Sequence, residues 1–296
     1  MKLRQTIFLL ITILVLAGCS AQPGTQPAPS DTPFTPPAPV TDTPMLVATS
    51  TPTELPTETL TPTPVPTVGP LNLVFYGDSL LKVGDNDQAG QTGFSIVDII
   101  RSMVGPADQI IVSHHGGRNA KWGFENLDQN VLADKPDVVT LWWGMNDLNG
   151  CPGVFDVDTN KINTGKLDAM LNLHEMYMTF QVNALLSAGA KVIIITPMPV
   201  LGPLPWTHLD ENNQLVWELD HRCDFNQALA QLVDDQRNLV AGFQAKNKPV
   251  SLVDVWQIYA DHPNTADMYM DILHPGSQAA RLIAENWVAV FQSLQK

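Results

Sequence analysis

The feature that most constrains this chain is a regular alternation, within residues 71–296, of short apolar runs and longer helix-compatible stretches. The apolar runs are Leu73–Tyr76, Ile110–Val112, Val138–Trp142, Val192–Thr196 and Ser251–Val255. The helix-compatible stretches are Gly93–Met103, Gly123–Leu132, Lys166–Ala188, Phe225–Gln244 and Ser277–Leu294. Strands that alternate with helices pair in parallel through crossover connections. The sequence therefore predicts an α/β fold, a three-layer α/β/α sandwich with a mainly parallel sheet of about five strands.

Residues with chemical potential follow several of these runs, and ligands in open parallel sheets bind beyond the carboxyl ends of the strands. Four segments follow a predicted strand or precede the last helix: Gly77-Asp78-Ser79, Gly116-Gly117, Gly144-Met145-Asn146-Asp147 and Asp271-Ile272-Leu273-His274. A serine hydroxyl becomes a good nucleophile only when a base within reach takes its proton. A carboxylate in turn fixes the tautomer of a histidine base. Serine, histidine and aspartate in these places predict acyl transfer.

These segments resemble the four sequence blocks of the SGNH (GDSL-type) hydrolase superfamily, and the resemblance covers residues 71–296. It implies a flavodoxin-like sheet, with Ser79 as the nucleophile, His274 as the base and Asp271 as the residue that orients His274. It also implies an oxyanion hole made by the backbone N–H of Ser79, a glycine N–H of the second block and the side chain of Asn146. For that glycine, Gly117 is the predicted donor.

The second block supports Gly117 over Gly116 because the family often has another glycine six residues on, and Gly123 fits that spacing. The block departs from the usual pattern in having His114 and His115 before the glycines and Arg118 after them. The two histidines look like a metal pair, but neighbouring residues on a strand point to opposite faces. We therefore predict no metal and no cofactor, and one of the histidines, His115, at the rim of the active site.

Two more residues are candidates for substrate binding. The segment TPMPVLGPLPWTHLDENN, residues 196–213, is long and rich in proline. It predicts a loop over the active site, with Trp206 and His208 lining the substrate pocket; an ordinary surface loop is the alternative. Asp78 and Asp147 are interpreted as hydrogen-bonding to loop backbone, as aspartate does in turns.

The N-terminal 70 residues predict export and anchoring. Residues 1–19 combine a basic start, an apolar core from Ile7 to Leu16 and the ending Leu-Ala-Gly-Cys, which resembles a bacterial lipobox with Cys19 as the lipidated residue. An ordinary signal peptide with an unmodified Cys19 is the alternative. Residues 20–70 contain 14 of the 24 prolines, 13 threonines and no lysine or arginine. That composition favours a disordered, extended stalk, so residues 71–296 are the predicted catalytic domain of an extracytoplasmic protein held on a membrane.

The remaining cysteines and the charge limit the partners. Cys151 and Cys223 are left in a compartment that permits disulfides, either as a bridge or as two thiols. The formal net charge of −14 argues against nucleic acid and anionic membrane surfaces as partners. The membrane contact predicted here is through the lipid alone, and the sequence leaves the oligomeric state open.

Two classes of function remain open from the sequence. The first is a serine esterase or acyl hydrolase that cleaves carboxylic esters through an acyl-serine intermediate, with a small-molecule or glycan ester as substrate. Acetylated sugars, short-chain esters and lysophospholipids are candidates, and an O-acetyltransferase would use the same intermediate. The second class is a non-catalytic surface lipoprotein. The set Ser79, Asn146, Asp271 and His274 favours the first class.

Overall fold

A central sheet of five parallel strands organises the computed structural model of the chain. The structure describes residues 69–82, 95–106, 108–156, 158–159, 161–209, 215–262 and 266–296. The strands lie in the order Gln109–His114, Asn72–Gly77, Val138–Trp142, Lys191–Ile195 and Val250–Val253, and every neighbouring pair is parallel. This order and the helices that cover the sheet confirm the predicted α/β fold.

The strands of the structure include four that belong to two small hairpins outside the central sheet. The central strands are β1 (Asn72–Gly77), β2 (Gln109–His114), β3 (Val138–Trp142), β6 (Lys191–Ile195) and β9 (Val250–Val253). The hairpins are formed by β4 (Phe155–Asp156) with β5 (Lys161–Ile162) and by β7 (Leu204–Leu209) with β8 (Leu215–Cys223).

The helices run between the strands and after the last one. They are α1 (Ser79–Lys82), α2 (Ile96–Met103), α3 (Ala120–Glu125), α4 (Leu127–Asn130), α5 (Gly150–Val154), α6 (Thr164–Ser187), α7 (Phe225–Gln244), α8 (Val255–Asp261) and α9 (Ser277–Leu294). Two single turns of 3-10 helix add Leu132–Asp134 and Ala266–Met268.

The sheet is buried on both faces, which explains why its strands read as continuous apolar runs. On one face, Leu73 and Phe75 of β1 pack with apolar residues of α2 and α9. On the other face, Val74 and Tyr76 pack with residues of α3, α6 and the second half of α7. Alternate residues of one strand therefore pack in two separate cores. Residues available to contact a ligand lie beyond the ends of the strands.

The structure differs from the sequence prediction in the proline-rich segment 196–213. We expected a loop there, but Leu204–Leu209 pairs with Leu215–Cys223 as an antiparallel hairpin, with an irregular register between Pro205 and Trp206. Val255, expected at the end of a strand, begins helix α8 instead. The Asp254 side chain caps that helix by accepting the N–H of Gln257, which ends the strand earlier.

The N-terminal predictions concern residues that lie outside the described part of the chain. Residues 1–68 include the signal sequence, Cys19 and nearly all of the stalk, so their organisation stays a prediction. Within the described ranges, none of the helices has the length and apolar character needed to cross a membrane.

Candidate active site

The site lies at the carboxyl end of β1, in the middle of the central sheet. Gly77 is in register with His114 on one side and Trp142 on the other. A Cβ atom on Gly77 would lie 2.5 Å from the Trp142 carbonyl oxygen, so only glycine fits there. The chain then leaves the sheet, and Ser79 begins the short helix α1 with Leu80 and Leu81 buried behind it. This local structure fixes the backbone that carries the serine.

The structure brings Ser79, His274 and Asp271 together in the order that nucleophilic catalysis requires. Nε2 of His274 lies 3.3 Å from Oγ of Ser79. Nδ1 of the same ring lies 2.8 Å from Oδ2 of Asp271. With the ring proton on Nδ1, facing the carboxylate, Nε2 is left free to accept the serine proton.

A tight loop holds the aspartate and the histidine. Oδ1 of Asp271 accepts the backbone N–H groups of Leu273 and His274, at 2.7 and 2.9 Å. Met270 N–H also donates to the His274 carbonyl, which closes the loop before helix α9. Burial alone would raise the pKa of Asp271, but these N–H groups and the imidazole outweigh it and lower that pKa below its usual value. The carboxylate is therefore kept ionised beside the imidazole of His274.

Asn146 connects the other loops of the site. Its Nδ2 donates to Oδ2 of Asp78 at 3.0 Å and to the backbone carbonyl of Arg118 at 3.1 Å. Both N–H groups of the amide thus have partners in the structure. The predicted donation from Asn146 to an oxyanion stays a prediction, and it requires one of these two bonds to be exchanged or shared.

Asp78 is fully buried beneath this amide. Its Oδ1 accepts the Leu80 N–H at 2.9 Å, and its backbone N–H donates to the Trp142 carbonyl. Burial is the largest cause that raises the pKa of Asp78, to about 7, and the nearby Asp147 carboxylate adds to it. The backbone bonds agree with the turn role expected for Asp78, and the bond to Asn146 adds a contact that the sequence did not indicate.

Both glycines of the second block lie at the site. A Cβ atom built on Gly116 would be 3.9 Å from Cβ of Ser79. Gly117 has a φ of +71°, a conformation that suits glycine, and it lines a cavity together with Asn146. Gly123, whose spacing supported Gly117, lies in α3, where a Cβ would touch the Trp143 ring at 2.7 Å. Glycine at position 123 is therefore required for close packing against Trp143. The spacing of six residues between Gly117 and Gly123 consequently does not indicate which N–H binds an oxyanion.

A cavity of about 270 Å³ opens between these loops. Its wall combines residues of the loops after β2 and β3, of α5, of β7, of the start of α7 and of the loop that carries Asp271. Those residues are Gly117, Met145, Asn146, Asn149, Gly150, Cys151, Leu204, Pro205, Phe225, Ile272 and Leu273. The surface of the wall is polar and apolar in nearly equal parts, and its polar side chains include those of Asn146 and Asn149.

The three predicted substrate-binding residues do not line this cavity together. Trp206 is 7% exposed, packs in the core and is not among the residues that line this cavity, so its contact with substrate stays a prediction; its neighbours Leu204 and Pro205 line the wall. His115 packs against the ring of Trp122 at 4.4 Å and lies 3.1 Å from the Ser113 hydroxyl. The His115 side chain therefore packs beneath the turn that carries Gly116 and Gly117. His208 belongs to β7, and its side chain is outside the described part of the structure.

Burial is the first cause that lowers the pKa of His115, and the charges of His114 and Arg118 act in the same direction. Arg118 itself lies over the Trp122 ring, with its guanidinium carbon 5.5 Å from the ring centre. Two of the three residues that mark this block as unusual, His115 and Arg118, therefore pack against the Trp122 ring.

Cys151 and Cys223 form a disulfide with their Cα atoms 6.1 Å apart. Cys151 lies in α5, five residues after Asn146, and Cys223 ends β8 just before α7. The bridge therefore attaches the larger hairpin to the wall of the cavity.

The family of the chain follows from this arrangement and from its sequence. The model of the GDSL-like lipase/acylhydrolase family matches residues 73–287. The chain therefore belongs to this family of ester hydrolases, and it carries the family's fold as a five-stranded parallel sheet. No curated protein matches the chain at a significant level.

Solved structures share the fold at low sequence identity. An acetylxylan esterase from Geobacillus stearothermophilus is 18% identical, with a TM-score of 0.50 over 75% of this chain and 94% of that one. Three further structures are catalytic mutants of that esterase in which a serine, an aspartate or a histidine three residues after the aspartate is replaced by alanine. A Bacteroides fragilis protein provisionally named an acylhydrolase is 16% identical, with a TM-score of 0.50 over 77% of this chain and 92% of that one.

Proposed function

We propose that this ester hydrolase is a serine esterase that works through an acyl-serine intermediate on Ser79. The observation that carries the proposal is the 3.3 Å distance from His274 Nε2 to Ser79 Oγ, with Asp271 2.8 Å from the other ring nitrogen. In the first step the hydroxyl attacks the ester carbonyl and its proton passes to His274. In the second, His274 returns that proton to the leaving alcohol, and water then releases the acid.

The negative charge that develops on the carbonyl oxygen needs donors that are already in place. The backbone N–H of Ser79, that of Gly117 and the side chain of Asn146 are proposed for this. Gly117 and Asn146 both line the cavity, and Asn146 donates to Asp78, the residue before Ser79, which supports the proposal. Gly116 is adjacent to Ser79 and is the alternative donor of the second block.

The preferred substrate is an ester of a short acyl group, such as acetyl, on a sugar. A cavity of about 270 Å³ lies just below the usual size range of ligand pockets and suits a small acyl group better than a long lipid chain. The acetylxylan esterase among the solved structures has the same fold and a catalytic aspartate and histidine at the same spacing. Lysophospholipids are accordingly the less favoured substrate class.

The domain is further proposed to act outside the cytoplasm, anchored by lipid on Cys19 and displayed on the stalk of residues 20–70. The disulfide between Cys151 and Cys223 supports an oxidising compartment, where such bridges form and persist. The ending of the signal sequence and the composition of the stalk are the sequence basis for the anchor.

The test is the Ser79→Ala variant, assayed beside the wild type on p-nitrophenyl acetate, butyrate and octanoate, on acetylated xylan and on a lysophospholipid. We expect hydrolysis to fall by several orders of magnitude and covalent labelling by a fluorophosphonate to disappear. Ser187→Ala, which changes an exposed serine of α6, is the matched control and should behave as the wild type. Activity or labelling that persists in folded Ser79→Ala would overturn the acyl-serine mechanism. Faster transfer of acetyl to an added sugar than to water would identify an acetyltransferase instead.

A further inference from the structure

A second aspartate–histidine pair, Asp147 and His174, lies buried behind the loop that carries Asn146. Nδ1 of His174 is 3.0 Å from Oδ1 of Asp147, and the two side chains are 2% and 6% exposed. The contact is short, but its angles fall outside hydrogen-bond geometry, so it is an electrostatic contact. Neither residue takes part in the mechanism proposed above, which leaves a buried titratable pair to be explained.

The pair is part of a closed ring of polar contacts. Both carboxylate oxygens of Asp147 accept the Ala120 N–H, at 3.0 and 3.2 Å. The Ala120 carbonyl accepts from Gln181, whose Oε1 accepts the indole N–H of Trp143. The Trp143 carbonyl accepts from Nε2 of Gln236 at 3.0 Å. Nε2 of Gln236 also lies 3.0 Å from Nε2 of His174, which closes the ring of contacts.

The ring of contacts fixes the tautomer of His174. Nε2 of Gln236 donates to the Trp143 carbonyl, and turning the amide over would place two acceptors against each other. The same nitrogen therefore presents its second N–H to His174, whose Nε2 must accept it without a proton. The ring proton of neutral His174 is then on Nδ1, facing the Asp147 carboxylate.

These polar contacts hold the segment that carries Asn146, the residue proposed to bind the oxyanion. Trp143 and Asp147 lie on either side of the segment Gly144-Met145-Asn146. Ala120 begins α3, two residues after Arg118, whose carbonyl accepts an N–H of Asn146. Both ends of the Asn146 segment, and the turn that contacts its amide, are therefore held by the same buried contacts. Small displacements of such a donor have large effects on rate.

We propose that Asp147 and His174 are positioning residues that hold Asn146 and the α3 corner in the geometry of the oxyanion hole. The proposal rests on the proposed function, specifically on the role of Asn146. It extends the turn role expected for Asp147 from the sequence, and it assigns a role to His174, which no motif indicated. The Ser79→Ala assay tests the proposed function separately, so failure of the two proposals can be told apart.

The experiment compares His174→Leu with His174→Asn, each in the full chain, on p-nitrophenyl acetate. Leucine removes the imidazole, whereas asparagine can restore a donor near the position of Nδ1. We expect His174→Leu to lower kcat about 10- to 100-fold with KM within about twofold. We expect His174→Asn to recover at least half of the logarithmic loss. Equal kcat values for wild type and His174→Leu, or equal losses in the two variants, would overturn the proposal.

The matched control separates positioning from stability. Thr140 of β3 is buried as well, and its hydroxyl accepts the Trp287 indole N–H at 2.9 Å. This hydrogen bond lies on the face of the sheet opposite to His174. Thr140→Val should lower the melting temperature and leave kcat unchanged; an equal fall in kcat would show that any loss of buried polar contacts suffices, against the proposal. If His174→Leu does not fold, Gln236→Leu takes its place and should lower kcat severalfold, since it frees the Trp143 carbonyl and His174 together. Wild-type kcat in folded Gln236→Leu would also overturn it.

Discussion

The side-chain amide of Asn146 donates one N–H to the buried carboxylate of Asp78, with Nδ2 3.0 Å from Oδ2. The other N–H goes to the carbonyl of Arg118, on an exposed turn where water can replace it. Asp78 has no such replacement because it is fully buried. An anion that forms in the cavity should therefore take the N–H now given to Arg118, while Asp78 keeps the amide in place.

Removal of the Asn146 amide should slow turnover far more than it weakens substrate binding. A donor that meets charge only in the transition state affects kcat and leaves the ground state nearly unchanged. We expect Asn146→Ala to lower kcat by about 10²–10³-fold with little change in KM. Asn72→Ala is the control, since the Asn72 side chain also donates two hydrogen bonds, both to backbone carbonyls, at the opposite end of β1. Full turnover by Asn146→Ala in steady-state kinetics would remove it from the oxyanion hole.

The stability of the protein should depend on pH through Asp78. Its pKa in the folded protein is about 7, above the ordinary value of 3.8, so the folded state holds a proton that the unfolded state has lost. The contribution of Asp78 is therefore greatest below pH about 4 and is lost as the pH rises through about 7. The whole contribution of Asp78 to the free energy of unfolding, which is lost at higher pH, is on the order of 4 kcal/mol.

Urea unfolding of the wild type and of Asp78→Asn at pH 5, 6, 7 and 8 measures this effect. Asparagine cannot ionise, so the free energy of unfolding of the wild type should fall relative to that of the variant across this range. The difference between wild type and Thr140→Val should stay constant, because threonine does not titrate. A constant difference for Asp78→Asn as well would mean that burial does not raise the pKa of Asp78.

The sequence predicted most of the sheet and the longer helices because their signals are local. The apolar run Val138–Trp142 and the helices Phe225–Gln244 and Ser277–Leu294 have the predicted bounds. The proposed catalytic trio could be identified from sequence because each member occupies a short segment that follows a strand or precedes a helix. The chain brings Ser79 and His274 together across 195 residues only because both segments meet at one edge of the sheet.

The hairpin and the buried ring escaped prediction because their signals are not local. Four prolines between residues 196 and 205 indicate a loop, and the pairing with β8 depends on residues 215–223. That pairing turns Trp206 inward and leaves Leu204 and Pro205 at the cavity. For the ring, His174 and Gln181 interrupt the otherwise apolar buried face of α6. Two polar residues on such a face signal a buried polar network, though not its partners.

The disulfide should contribute strongly to stability. It closes a loop of 72 residues, for which the loss of chain entropy in the unfolded state is about 4 kcal/mol. We expect Cys151→Ser/Cys223→Ser to unfold at markedly lower urea concentration, and the wild type to follow it when a reductant is added. Because Cys151 also lines the cavity, KM for small esters should rise in the same variant. Identical unfolding curves with and without reductant would contradict a structural role for the bridge.

The last prediction concerns the lipid on Cys19. A thiol at that position, after Leu16-Ala17-Gly18, is the proposed acceptor, and the acyl chains would hold the protein by burying methylene groups in the bilayer. In a bacterial host, wild-type protein should sediment with membranes and enter a detergent phase, whereas Cys19→Ser should be released or remain unprocessed. Cys223→Ser, which changes another cysteine and leaves residue 19 intact, should still sediment with membranes. Incorporation of labelled fatty acid into wild type and Cys223→Ser, and its absence from Cys19→Ser, measures the modification directly. Wild-type protein found wholly in the soluble fraction and unlabelled would show that residues 1–19 form an ordinary signal peptide.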